Sequence, residues 1–126
     1  MIGKPKIIII DDSLLVRNIL SDVLEKKAGF EVIATGKTGL DGVELAEKLK
    51  PDFIILDIEM PVMTGQELCE QLEKLLPDRT FPVYVITGVT DLVHRKWTRE
   101  IRDLHFLEKP VSIRRLAQEL EQRLRS

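Results

Sequence analysis

Short, almost unbroken apolar runs alternate along this chain with segments whose apolar residues recur every three or four positions. The runs read as strands over Lys6–Asp11, Phe30–Thr35, Phe53–Asp57, Pro82–Thr87 and His105–Lys109. They lack the strict alternation of a sheet wetted on one side, so they predict strands buried on both faces. Five helix-period segments separate or follow them. In the first, Val16, Ile19, Leu20, Val23 and Leu24 mark one face, with Gly29 as the stop. The second opens at TGLD, where Thr38 and Asp41 have capping-box spacing, and halts before Pro51. The third repeats the device in TGQE (Thr64, Glu67), carries Leu68, Leu72, Leu75 and Leu76, and ends at Pro77. A fourth places Val93, Trp97, Ile101 and Leu104 on one stripe, and the fifth starts at Ser112 and buries Ile113, Leu116, Leu120 and Leu124.

Five strand–helix units of this kind predict an α/β fold, with a parallel sheet covered on both faces by helices. Right-handed crossovers then give three layers. In such doubly wound sheets ligands bind beyond the carboxyl ends of the strands. No linker or low-complexity stretch interrupts the pattern, so residues 1–126 read as one domain.

Composition narrows the picture. Charged residues make up 32% and hydrophobic ones 44%, the balance of a globular domain. The formal net charge of −2 gives no support to direct nucleic-acid or membrane-surface binding. Without an apolar run approaching roughly 20 residues, membrane insertion is not expected. Cys69 stands alone, which rules out an internal disulfide and suits a reducing, cytoplasmic location.

The candidate chemistry lies at the strand ends. In IIIIDDS the first strand closes on two adjacent carboxylates, Asp11 and Asp12, which repel unless something positive meets them. Asp57 closes the third strand, Thr87 the fourth and Lys109 the fifth. Each has an ordinary use alone: a helix cap for Asp12 or Ser13, a turn for Asp57, a strand position for Thr87, an ammonium reaching water for Lys109. Together they place three carboxylates, a hydroxyl and an ammonium on one sheet edge. That set suits phosphoryl transfer to a carboxylate. Mg²⁺ takes oxygen ligands and is usually held by one or two carboxylates with water and phosphate. Asp57 can attack phosphorus, while the metal, Lys109 and Thr87 meet the charge on the phosphoryl oxygens. Gly88 keeps the site open next to Thr87.

The motifs IIIIDDS, FIILDIEMPVMTG, VYVITG and HFLEKP, in that order, resemble the receiver domain of bacterial two-component response regulators over essentially the whole chain. The resemblance implies a flavodoxin-like (βα)5 fold with strand order 2-1-3-4-5. It implies Asp57 as phosphoacceptor, and Mg²⁺ held by Asp11, Asp12, Asp57 and the main-chain carbonyl of Glu59. Thr87, Lys109 and the backbone at Gly88 would bind the phosphoryl group. Thr87 and Phe106 would form the switch, Phe106 matching the aromatic that swings inward on activation. The implied partners are a histidine kinase or histidine phosphotransfer protein, and a downstream protein met by the face of the fourth helix, fifth strand and fifth helix. Such a domain is a phosphoacceptor that assists its own phosphorylation and dephosphorylation, not an enzyme acting on separate substrates.

Two features depart from the family. EIRDLHF, with Arg102 and Asp103, stands where a small Gly-Ala-type pair is usual, and His94, Arg95, Lys96 and Arg99 make a basic run beside Trp97. Trp97 tucked into the core and Trp97 as a partner anchor both fit the pattern. Three rival functions also use this frame. A flavin carrier would need a Ser/Thr/Gly-rich phosphate loop after the first strand, which DDSLLVRN lacks. A small Mg²⁺-dependent aspartyl-phosphate phosphatase would need a second aspartate where DIEM has none. A receiver used only for protein binding would have lost part of the site, and here the set is complete.

Overall fold

The four consecutive isoleucines of the first strand are entirely buried, because helices cover the sheet on both sides of them. The computed structural model describes residues 3–26, 29–57, 65–87, 96–108 and 112–125. Five strands, β1 (Lys6–Ile10), β2 (Glu31–Gly36), β3 (Phe53–Asp57), β4 (Val83–Thr87) and β5 (Leu104–Glu108), form one parallel sheet in the order β2-β1-β3-β4-β5. The helices are α1 (Leu14–Lys26), α2 (Gly39–Leu49), α3 (Gly65–Leu75) and α4 (Ile113–Arg125), with a short 3-10 helix at Lys96–Glu100. None of the helices among the described residues is long and apolar enough to cross a membrane.

The strand period of two sorts the isoleucines between two cores. Ile8 and Ile10 join Ile54, Leu56, Val83 and Val85 under α2 and α3, where Val43, Ala46, Leu68 and Leu72 meet them. Ile7 and Ile9 join Phe53, Ile55, Tyr84 and Ile86 under α1 and α4, against Leu20, Leu24, Leu116 and Leu120. Each buried isoleucine stabilises the fold by roughly 1.5–3 kcal/mol relative to exposure. Buried Cys69 belongs to the first cluster, and burial pushes its thiol pKa up to about 12, which leaves it an inert filler.

Several sequence expectations hold in detail. Thr38 caps α2, its hydroxyl accepting the Asp41 N–H at 3.1 Å while the Asp41 carboxylate accepts the Thr38 N–H at 3.2 Å. Ser112 caps α4, accepting the Arg115 N–H at 3.1 Å. The Thr64 cap lies outside the described residues, though Leu68 and Leu72 are buried as expected. Other expectations need correction. Val16 and Ile19 are exposed, as are Leu75 and Leu124; α1 turns mainly Leu20 and Leu24 to the sheet. β1 ends at Ile10 and β5 begins at Leu104, one residue from the expected limits.

The largest correction concerns the fourth helix. Among the described residues its stripe reduces to the 3-10 turn at Lys96–Glu100; Ile101 is buried in the bend after it, Leu104 opens β5, and Val93 lies outside. The helical period cannot run through Asp103, whose φ of 51° is left-handed. Aspartate tolerates that region better than most residues. Its carboxylate accepts Arg123 Nη1 at 2.8 Å and also Arg123 Nη2, and lies 2.7 Å from His105 Nε2. His105 in turn stacks on Tyr84, ring centroids 4.8 Å apart.

Arg102, the other departure, belongs to a clamp around Arg79. The Arg79 side chain is 1% exposed and donates to Glu73 Oε1 at 2.6 Å, to the Phe81 carbonyl at 2.6 Å and to the Arg102 carbonyl. Arg102 Nε donates to Glu73 Oε2 at 2.9 Å. Glu73 thereby ties the end of α3 to the entrances of β4 and β5. Burial pushes its pKa up, but the hydrogen bonds from Arg102 and Arg79 outweigh that, and the net shift is downward from 4.5.

Two expectations follow from this packing. A Cβ on Gly36 would lie 2.7 Å from Asp41 Cβ and 3.0 Å from Ile10 Cδ1. Gly36→Ala should therefore destabilise by about 1–3 kcal/mol, read as a lower urea midpoint at unchanged slope; an unmoved midpoint contradicts the contact. Glu73, with its folded pKa depressed, contributes stability that is complete above 4.5 and is lost as pH falls through the lower folded value. Glu73→Gln should cost about 1.5–3 kcal/mol at pH 7 and flatten the decline in stability below pH 4.5. Equal acid sensitivity in both proteins would place that decline elsewhere.

Candidate functional site

Asp11 follows the last residue of β1, at the carboxyl edge of the sheet. Its N–H donates to the Gly36 carbonyl at 3.0 Å, which carries the β1–β2 pairing one residue past the strand. Its carboxylate accepts the Ser13 N–H at 2.9 Å, and its carbonyl accepts Arg17 Nη1 at 2.5 Å. Ser13 then caps α1, its hydroxyl accepting the Val16 N–H at 3.2 Å and its carbonyl the Arg17 N–H at 3.0 Å. The cap is therefore Ser13, and Asp12 is left exposed with its carboxylate available for other work.

Asp57 ends β3, paired with Ile86 of β4, and Thr87 ends β4 one residue further on. Asp11 is 8%, Asp57 7% and Thr87 3% exposed. Oxygens from Asp11, Asp12 and Asp57 all lie within 4.8 Å of one another. The sheet thus brings together three carboxylates that the sequence spreads over 47 positions, from 11 to 57 inclusive. Like charges about 4 Å apart repel by about 1 kcal/mol in water and about 4 kcal/mol at an effective dielectric of 20. Two buried acids and one exposed acid thus gather, all of them oxygen donors. That donor set fits a hard divalent cation and offers neither the nitrogen nor the sulfur favoured by softer metals.

Phe106 lies in β5, half-buried, against the core cluster under α2 and α3. Trp97 packs against the same cluster, which favours the core role for it. Its indole N–H is buried without a hydrogen-bond partner among the described residues. Arg99 is exposed. Lys109, Gly88, Glu59, His94 and Arg95 lie outside the described residues. Sequence reading missed one residue at this site. Arg17, six positions after Asp11, gave a signal only in being a cation in the first turn of a helix that begins beside an acidic pair.

Comparison with known proteins agrees with this geometry. Residues 7–121 match the family described as response regulator receiver domain. Among curated proteins, a protein-glutamate methylesterase/protein-glutamine glutaminase of Clostridium acetobutylicum is 36% identical over 97% of this chain and 36% of its own length. The protein of the same name from Archaeoglobus fulgidus is 37% identical over 91% of this chain and 34% of its own length. The chain thus spans about a third of the length of these relatives. Among solved structures, the response regulator domain of Thermotoga maritima CheB superposes with a TM-score of 0.78 at 30% identity, covering 97% of this chain and 94% of that one. The chemotaxis response regulator CheY4 of Vibrio cholerae gives 0.83 at 28% identity, covering 95% and 98%.

The crowding of Asp11, Asp12 and Asp57 generates a test that needs no metal. Asp12→Asn removes one of three mutually repelling charges while leaving the Ser13 cap intact. In chelator-treated protein at pH 7 it should raise the melting temperature, by an amount equivalent to about 1 kcal/mol. A lower melting temperature would show that Asp12 stabilises the loop more than it strains it.

Proposed function

Because the chain belongs to the response regulator receiver domain family, we propose that it accepts a phosphoryl group on the carboxylate of Asp57. Asp11, Asp12, Asp57 and the main-chain carbonyl of Glu59 would hold Mg²⁺. The observation that carries this reading is the three-carboxylate cluster at the carboxyl edge of the sheet. When bound, the ion neutralises charge on the carboxylates and on one phosphoryl oxygen. The donor is the phosphohistidine of a histidine kinase or histidine phosphotransfer protein.

An Asp57 carboxylate oxygen attacks phosphorus in line with the scissile P–N bond. The new O–P bond forms as the P–N bond breaks, and the imidazole leaves with its electron pair and takes up a proton. Lys109 meets a second phosphoryl oxygen with its ammonium, and Thr87 and the Gly88 N–H meet a third. The same groups position water for hydrolysis of the acyl phosphate, so the domain assists both its own phosphorylation and its own dephosphorylation. Residues 1–126 act as one receiver unit in this reading. The methylesterase and glutaminase names belong to the longer relatives, and the residues of this chain support the phosphoacceptor role.

Phosphate on Asp57 would draw the Thr87 hydroxyl toward it and open space for Phe106. Phe106 has no hydroxyl to unbind, and its half-buried position against the core supports an inward state sampled before phosphorylation. Phosphorylation then shifts a population between two packings. The readout surface would combine the segment ending in the 3-10 helix, β5 and α4, where a downstream protein would bind.

Incubation with Mg²⁺ and acetyl phosphate should add one phosphate by intact mass, and Asp57→Asn should abolish the gain. Label surviving in the variant would move the acceptor elsewhere. A wild-type protein that takes no label at saturating Mg²⁺ would instead favour a receiver used only for protein binding.

A further inference from the structure

Arg17 stands where a helix disfavours it. It closes the first turn of α1, four residues after the Ser13 cap, where the positive end of the helix dipole still opposes a cation. An arginine there needs a compensating partner. It has one in the Asp11 carbonyl, 2.5 Å from Nη1, and the side chain is partly buried on the way.

We infer that Arg17 is a positioning residue for the acidic site, fixing through the Asp11 carbonyl where Asp11 and Asp12 present their carboxylates. The inference rests on the proposed metal-assisted phosphoacceptor role. Asp11 is held at three points around one Cα: its N–H by the Gly36 carbonyl, its carboxylate by the Ser13 N–H, and its carbonyl by Arg17. The first sets the end of the strand and the second the side-chain rotamer. The third sets the plane of the peptide between Asp11 and Asp12, and so the direction in which Asp12 leaves. A hydrogen bond from a charged, planar donor is strong and directional enough for that task.

The choice of acceptor matters. A guanidinium paired directly with the carboxylates would occupy the oxygens that a metal ion needs. Bonded to the carbonyl, it steadies the loop and lowers the repulsion among the acids while itself taking up none of their carboxylate oxygens. The same charge opposes an incoming Mg²⁺. The positional and the purely electrostatic effects of Arg17 on metal affinity therefore have opposite signs, and one substitution separates them.

Arg17→Met removes donor and charge but keeps a helix-forming, unbranched side chain. If Arg17 positions the loop, Mg²⁺ affinity followed by amide NMR titration should weaken about tenfold, as for other groups that orient metal ligands, despite the lost positive charge. In the metal-free protein, amide hydrogen exchange at Ser13 should quicken about tenfold while Leu20 and Leu24 in the same helix stay protected. Arg17→Lys, which keeps the charge and one shorter donor, should recover part of both losses and guards against a variant that fails to fold. Tighter or unchanged Mg²⁺ binding in Arg17→Met would overturn the positioning role, and so would unchanged Ser13 exchange. A wild-type protein that does not bind Mg²⁺ would overturn the metal reading itself, a failure distinguishable from the exchange result because that is read without metal.

Discussion

Three carboxylates held within 4.8 Å of one another at one sheet edge are an unfavourable arrangement, and much of the fold serves to impose it. The repulsion cannot be relieved by moving the acids apart, because two of them are fastened to central strands. Asp11 follows a strand whose four isoleucines are wholly buried, and Asp57 ends one whose five residues are all buried. Shifting either strand by one residue would turn its core side chains to the wrong cluster. Hydrophobic burial on both faces thus exceeds a repulsion of a few kcal/mol. The fold thereby fixes the three carboxylates close together, and a divalent cation held among them would lower their mutual repulsion.

Local hydrogen bonds complete what the strands begin. Gly36, Ser13 and Arg17 hold the Asp11 backbone and side chain, and the Ser13 cap leaves Asp12 facing solvent. The glycine is required here by a close approach, since a Cβ at Gly36 would collide with Asp41 of the α2 capping box. Site and helix cap therefore share one tight corner.

The far end of the domain follows a different logic. Arg102 and Asp103 enter two charged clusters. One centres on buried Arg79 and Glu73, the other on Arg123, Asp103 and His105. The 3-10 helix ends at Glu100, and the left-handed residue Asp103 leads the chain from the bend at Ile101 into β5 at Leu104. These clusters fix the base of β5, the strand that carries Phe106.

The sequence by itself determined the α/β class, the two-sided burial of β1, β3 and β4 (the edge strands β2 and β5 are only partly buried), the capped start of α2, and Asp57 and Thr87 as strand-end residues, with Asp11 one residue past its strand. Those features follow from local periodicity and turn chemistry, which a linear reading carries. The acidic pair and the strand motifs also sufficed to mark the family. Only the tertiary structure decided the distances among the three carboxylates, because these depend on how β1 and β3 lie side by side. It also decided which apolar helix residues stay exposed, such as Ile19 and Leu75, since a three-to-four period marks a wider stripe than the sheet can cover. Of the fourth stripe, Trp97, Ile101 and Leu104 do meet the core, but the helix stops at Glu100 and a left-handed residue at Asp103 precedes Leu104, which opens a strand. Arg17 was invisible for a related reason: its partner is a main-chain carbonyl, and a carbonyl leaves no mark in the amino-acid sequence.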